Sequence, residues 1–150
     1  MTKYKEEYVH SDHLLYVQLG ETHHIGYLVK NIDKTLSLYQ QLGFELVTEK
    51  KYDEIRKSYL CFLKGKGECI ELIEPTRESE LCPLMKKYVN TPYHICYKVD
   101  NLQAAISKLK EIGFLIFKDI EKAPVISSHA EVAFLMHSRI GIIELVQGVE

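Results

Sequence analysis

Apolar residues recur at helical spacing in two stretches of the chain. The first predicted helix begins after Asn31, whose side chain can accept a hydrogen bond from the first turn, and ends at Gly43, which fits a left-handed stop. By the same criteria the second begins after Asn101 and ends at Gly113. The apolar positions of the two helices are Ile32, Leu36, Tyr39 and Leu42, then Leu102, Ala105, Ile106, Leu109 and Ile112. The chain therefore contains two similar helices in similar settings.

Segments rich in apolar and β-branched residues surround each helix, and they predict one strand before it and three after it. In the first half these strands cover about 22–29, 44–49, 56–64 and 68–74. In the second half the first strand contains His94, and the later three cover about 114–118, 130–136 and 140–146. We expect two tandem βαβββ modules, each with a four-stranded sheet and one helix, in the α+β class.

The two halves also match in sequence. His24–Phe44 and His94–Phe114 are identical at eight positions, and Phe-Leu followed by Ile-Glu-Leu recurs near the end of each half. A repeat of this kind decides the architecture before other signals do. We divide the chain into an N-terminal extension (1–21) and one domain (22–147), which consists of module one (22–75), a linker (76–91) with a short helix, and module two (92–147).

Each module contributes one histidine and one glutamate at equivalent positions. His24 and His94 open the first strands, whereas Glu71 and Glu144 lie within last strands that are apolar on both faces. A buried carboxylate is costly unless it is protonated, paired or bound to a metal. Imidazole and carboxylate ligands without thiolate are typical of a catalytic metal site. Taken singly, each residue could be a core histidine or a salt-bridged glutamate; taken together, they predict a metal centre.

The remaining histidines and the cysteines add little to this prediction. His23 competes with His24 as a ligand, but the repeat aligns His23 with Tyr93 and so favours His24. We expect four histidines without repeat equivalents at the surface, and the last of them could instead line a pocket mouth: His10, His13, His129 and His137. The four cysteines lack C-x-x-C spacing and are expected to be reduced and mostly buried: Cys61, Cys69, Cys82 and Cys96.

The composition of the chain argues against two classes of binding partner, nucleic acids and membranes. A formal charge of -2 gives no basic footprint for nucleic acid. No apolar run approaches the roughly 20 residues of a transmembrane helix, and the N-terminal residues lack the apolar core of a signal peptide. We expect a cytoplasmic protein that binds neither nucleic acid nor membrane.

Four stretches identify a family resemblance: His24–Gly26, Ile70–Pro75, Tyr93–Cys96 and Ile143–Gln147. They resemble the vicinal oxygen chelate superfamily, which includes glyoxalase I, methylmalonyl-CoA epimerase, extradiol dioxygenases and bleomycin-resistance proteins. The resemblance covers about residues 22–147 and is nearest the epimerase and lactoylglutathione lyase branch. It implies an incomplete barrel around one divalent ion (Zn, Ni, Co or Mn), a homodimer, and the ligands His24, Glu71, His94 and Glu144.

The resemblance also implies an activity. We expect a metal-dependent isomerase, epimerase or lyase that acts through a metal-stabilised enolate of an acyl thioester or a hemithioacetal. Glu144 is the expected base and Glu54 the expected second base. Arg56 and Lys57 could hold an anionic group, or could be a solvated strand end.

Three other functions stay open. Within the same branch the alternative is a lactoylglutathione lyase. An extradiol dioxygenase uses two histidines and one glutamate, so a fourth ligand, Glu71, argues against it. A non-catalytic binding or resistance protein would not need this ligand set.

Overall fold

The computed structural model describes residues 17–150, so the interpretations of His10, His13 and most of the N-terminal extension concern residues outside the described part. The order of elements is β1 (Thr22–Leu28), α1 (Ile32–Gln41), β2 (Glu45–Asp53), β3 (Ser58–Lys64), β4 (Cys69–Pro75), a 3-10 turn (Cys82–Leu84), α2 (Met85–Tyr88), β5 (Thr91–Lys98), α3 (Leu102–Glu111), β6 (Leu115–Lys122), β7 (Glu131–His137) and β8 (Gly141–Gln147). This order confirms the α+β class and the βαβββ pattern of each half.

All eight strands belong to one sheet in the order β2-β3-β4-β1-β5-β8-β7-β6. We expected a separate four-stranded sheet in each module, and the structure corrects this because β1 and β5 pair antiparallel between the modules. Without this pairing each of these strands would leave a row of backbone N–H and C=O groups unbonded at a sheet edge. Within residues 17–150 the sheet does not close on itself, in agreement with the expected incomplete barrel.

The helices begin and end where the sequence predicted. The side chains of Asn31 and Asn101 each accept a hydrogen bond from the backbone N–H three residues on. Gly43 and Gly113 follow the helices with φ of 92° and 101°, a left-handed conformation that only glycine adopts without strain. These matched ends fix how each helix returns to the sheet.

The helices cover one face of the sheet, and the linker packs against the opposite face. α1 packs on β3 and β4, and α3 packs on β7 and β8, each over its own cluster of buried apolar side chains. On the opposite face Leu60, Ile73, Tyr93 and Phe134 form a further cluster that Leu81 of the linker joins. Glu71 lies two residues from Ile73 on β4 and therefore shares that face.

Other sequence predictions hold with small changes. The linker helix is a 3-10 turn followed by the single turn α2. All four cysteines are free, and Cys61 and Cys96 are buried. In the part of the chain that the structure describes, no helix is both long and apolar enough to cross a bilayer.

Candidate metal centre

Four side chains converge at the middle of the sheet. The Nε2 atom of His24 lies 3.1 Å from Oε1 of Glu71, 3.0 Å from Oε1 of Glu144 and 3.1 Å from Nε2 of His94. His94 Nε2 lies 3.0 Å from Glu144 and 3.9 Å from Glu71. All four residues are buried. The structure thus brings together the four residues that the repeat predicted as ligands.

Strand register explains the convergence. Across β4, β1 and β5, Glu71 is level with Gly26, which is level with His94. The equivalent row across β8, β5 and β1 contains Glu144, Cys96 and His24. Each row therefore places a small residue between a glutamate and a histidine, and this leaves room for the two larger side chains to meet above it.

A phenylalanine on the neighbouring strand pairs with the glutamate of each row and contacts a histidine of the cluster. Phe62 of β3 pairs with Glu71, and its ring meets the ring of His24 edge-on with centroids 5.3 Å apart. Phe134 of β7 pairs with Glu144 and meets His94 in the same way at 5.1 Å. These two aromatic residues are not among those predicted for the site, although their recurrence in the repeat was the available signal.

Electrostatics within the cluster favour ionised side chains. Burial disfavours the charged form of His24, but Glu71 and Glu144 outweigh it and raise the pKa of His24 to about 10. Burial likewise opposes ionisation of Glu144, but His94 and His24 outweigh it and hold its pKa well below the ordinary range. Without an ion, His24 and Glu144 therefore form a buried pair of opposite charges.

The donor set fits a divalent ion. Oε1 of Glu144 is buried and accepts no hydrogen bond of acceptable geometry from residues 17–150, although both histidine Nε2 atoms are 3.0 Å away. One donor atom from each of the four residues lies within 4.8 Å of the others. Nitrogen and oxygen ligands of such ions lie about 2.0–2.2 Å from the metal, which separates neighbouring donors by about 3–3.5 Å. The cluster is therefore a potential site for one divalent metal ion.

A cavity of about 400 Å³ adjoins this cluster. Phe134, which contacts His94, also forms part of the cavity wall, but none of the four converging residues lines the cavity. Arg56 and Lys57 line it, together with three carboxylates that the sequence analysis did not single out, Glu78, Glu80 and Glu121. The wall thus combines apolar surface with charges of both signs.

Arg56 is a half-buried cation that its surroundings hold in place. Its guanidinium donates to the carboxylate of Asp53 at 2.7 Å, and this carboxylate also accepts bonds from the backbone N–H groups of Ile55 and Arg56. The hydroxyl of Ser79 in the linker donates to the Arg56 carbonyl at 2.6 Å. Burial opposes the charge of Arg56, but Glu144, Glu71 and Asp53 outweigh it and raise the pKa of the guanidinium. Arg56 is therefore charged at the cavity wall.

The structure separates the other predicted site residues from the cluster. Glu54 is exposed in the turn between β2 and β3 and does not line the cavity. Lys57 is exposed and lies 3.8 Å from Glu78. His129 is exposed, as expected, whereas His137 is partly buried against Phe114.

His23 lies beside the cluster and makes a close contact to it. Its Nδ1 atom is 2.7 Å from Nδ1 of His24, and its ring is partly buried. Burial and the neighbouring His24 lower the pKa of His23, so that it is neutral at physiological pH. From the sequence His23 was predicted only as a competitor of His24 for the metal.

Two βαβββ halves that share one open sheet, with His and Glu side chains between them, define the class of this protein. Residues 23–134, which are more than half of the chain, match the profile of the Glyoxalase/Bleomycin resistance protein/Dioxygenase superfamily. The chain belongs to this superfamily, which confirms the resemblance seen in the sequence. A search of curated proteins gave no match.

Solved structures agree with this fold. The hypothetical protein BH1468 from Bacillus halodurans C-125 has a TM-score of 0.72 and 26% identity over 89% of this chain and 95% of its own. Methylmalonyl-CoA epimerase from Mycobacterium tuberculosis has a TM-score of 0.73 and 20% identity, and the match covers 94% of this chain and 97% of that protein. A Streptomyces coelicolor methylmalonyl-CoA epimerase variant in complex with 2-nitronate-propionyl-CoA has a TM-score of 0.71 and 22% identity, and the match covers 89% of this chain and 100% of that protein. At these identities the two epimerases support the fold and not the activity.

Proposed function

We propose that the protein is a metal-dependent enzyme that removes a proton next to the carbonyl of an acyl thioester, with an epimerase as the leading assignment. The observation that carries this proposal is the convergence of His24, Glu71, His94 and Glu144 beside a cavity whose wall includes the half-buried cation Arg56. These four residues would hold the ion. When bound, a divalent ion would polarise a substrate carbonyl and lower the free energy of the enolate that forms on proton loss.

Glu144 is the base that we assign to proton removal. Its register partner Phe134 lines the cavity, whereas Phe62, the partner of Glu71, does not. On this ground we assign Glu144, rather than Glu71, to the side of the cluster nearer the cavity. Because His94 and His24 lower its pKa, Glu144 is a weak base in this contact, and turnover would require its carboxylate to swing away from the two rings.

Arg56 would bind an anionic group of the substrate. It is charged, anchored by Asp53 and exposed to the cavity, and it presents a planar fork that matches a carboxylate or phosphate. A 2-methyl-branched acyl-CoA with a free carboxylate has both the thioester carbonyl and the anion that this arrangement would accommodate.

Lactoylglutathione lyase is the second candidate. An epimerase needs a base on each face of the carbon, and Glu54, the proposed second base, does not line the cavity. A lyase that returns the proton through one base would need only Glu144. This observation keeps the hemithioacetal of glutathione and methylglyoxal as the alternative substrate.

We further propose a homodimer, which rests on the family resemblance alone, and a location in the cytoplasm, which rests on the composition of the chain. Sedimentation of the purified protein tests the oligomeric state directly. A monomer at micromolar concentration would contradict it.

Solvent deuterium exchange tests the activity. Metal-reconstituted protein is incubated in D₂O with racemisable 2-methyl-branched acyl-CoA, and exchange and inversion are followed separately. The proposal predicts both, and it predicts that Glu54→Gln retains exchange on one face and loses inversion. Turnover of methylglyoxal and glutathione without exchange into any acyl-CoA would replace the epimerase by the lyase. Neither reaction, in protein with a full complement of metal, would contradict the enzymatic proposal.

A further inference from the structure

A β-bulge places His23 next to the first predicted ligand. Thr22 pairs with Tyr97 and His24 pairs with Cys96, so β1 carries one residue more than β5 between these pairs, and that residue is His23. In regular strands successive side chains point to opposite faces, but a bulge re-aims a side chain. The bulge is what allows the rings of His23 and His24 to approach each other.

The contact between the two rings uses the nitrogen of His24 that faces away from the cluster. His24 Nε2 faces Glu71, Glu144 and His94, whereas its Nδ1 lies 2.7 Å from Nδ1 of His23. A histidine that binds a metal through one nitrogen carries its proton on the other, and the partner of that proton fixes the tautomer and the ring orientation.

We propose that His23 is a positioning residue for metal binding: its Nδ1 accepts the Nδ1–H of His24 and so presents the Nε2 lone pair of His24 to the ion. The proton of His23 then lies on its own Nε2. This inference rests on the proposed metal site. It goes further by assigning a role to a residue that is not itself one of the four ligands.

The second ligand, His94, has no such support. Its Nδ1 is buried and has no hydrogen-bond partner among residues 17–150. A bulge also precedes His94, since Gly26 pairs with His94 and Tyr27 with Pro92, and its extra residue is Tyr93. Tyr93 packs edge-on against the ring of His94, with centroids 4.4 Å apart. A bulge thus places a hydrogen-bond acceptor, His23, beside His24 and an aromatic ring, Tyr93, beside His94.

Cobalt titration of the full-length protein tests the proposal, with the visible absorption of Co²⁺ and competition against a chelator as readouts. His23→Phe keeps an aromatic ring but removes the acceptor, and we expect it to weaken Co²⁺ binding by about 10- to 100-fold. His23→Asn restores an oxygen acceptor near the position of Nδ1 and should recover most of the affinity. His129→Phe, a change at an exposed histidine, should bind like the wild type.

The outcomes separate this inference from the proposed function. Wild-type protein that does not bind Co²⁺ would overturn the metal site and this inference with it. Wild-type binding with an unchanged affinity in His23→Phe would overturn the role of His23 alone. A His23→Asn variant as weak as His23→Phe would show that a hydrogen-bond acceptor at this position does not restore binding, and would also overturn it. Melting temperatures of the metal-free variants close to that of the wild type would show that the affinity losses do not come from misfolding.

Discussion

Gly26 of β1 lies directly opposite His94 of β5, and the imidazole of His94 occupies the space that a side chain at residue 26 would fill. A Cβ atom built on Gly26 would lie 2.0 Å from Cε1 and 2.6 Å from Nε2 of His94. No side chain other than hydrogen is compatible with this position of the ring. The glycine is therefore part of the candidate site, although it offers no ligand atom.

Substitution of Gly26 by alanine should displace His94 from the cluster. We expect Gly26→Ala to lose most of its Co²⁺ affinity and to lose about 1–3 kcal/mol of stability through overpacking. Gly67→Ala is the matched control, because a Cβ at Gly67 meets no atom within 4 Å. Isothermal titration of both variants decides the point, and wild-type affinity in Gly26→Ala would contradict the placement of His94.

Metal binding should release a proton at neutral pH. His24, whose pKa the two glutamates raise to about 10, is protonated below that pH, and an ion can bind only its neutral form. We therefore expect about one proton released per ion at pH 8, an apparent affinity that rises with pH up to about 10, and no further rise above it. An indicator dye in weak buffer measures the release. Metal uptake without proton release at pH 8 would contradict the protonation state assigned to His24.

The hydroxyl of Tyr93 should not contribute to the stability of the free protein. It is buried without a hydrogen-bond partner among residues 17–150, and an unsatisfied buried hydroxyl costs about 1–3 kcal/mol. Tyr93→Phe removes that cost at nearly constant volume, so the free energy of unfolding in urea should stay the same or rise by about 1 kcal/mol. The exposed Tyr52→Phe serves as control. A loss of more than about 1 kcal/mol in Tyr93→Phe would mean that the hydroxyl has a partner.

The two glutamates of the cluster should differ in catalysis. Glu144→Gln should retain some metal but lose turnover by about 10²–10⁴-fold if Glu144 is the base. Glu71→Gln changes the equivalent residue of the other row and is the matched control. We expect it to lose less turnover per bound ion. Both activities are measured at saturating metal with the substrate that the exchange experiment identifies. Equal losses in the two variants would remove the special role of Glu144.

The repeat explains how much of this structure the sequence could predict. Equivalent positions in two copies predicted both helices with their ends at Gly43 and Gly113, and they predicted which histidine and glutamate of each module would meet. The pairing of β1 with β5 could not be predicted from the sequence, because these strands lie far apart in the chain. Their similar composition also does not show which strand edges will pair.

The parts of the site that the sequence did not reveal depend on local geometry. A bulge changes no residue type, so nothing in the sequence showed that His23 would face His24 rather than the opposite side of the sheet. The sequence left Arg56 open between an anion-binding residue and a solvated strand end, because its partial burial depends on its contacts with Asp53 and with the linker residue Ser79. Glu54 followed from the resemblance alone, and its role in catalysis stays a prediction.

Metal content is the most direct test of the central claim. The protein is stripped with a chelator, reconstituted separately with Zn²⁺, Ni²⁺, Co²⁺ and Mn²⁺, desalted, and assayed by elemental analysis beside a His24→Ala/His94→Ala variant. The account predicts one ion per chain for at least one of these metals, a higher melting temperature with that ion bound, and loss of the ion in the variant. Wild-type protein that is folded yet retains none of the four metals would contradict it.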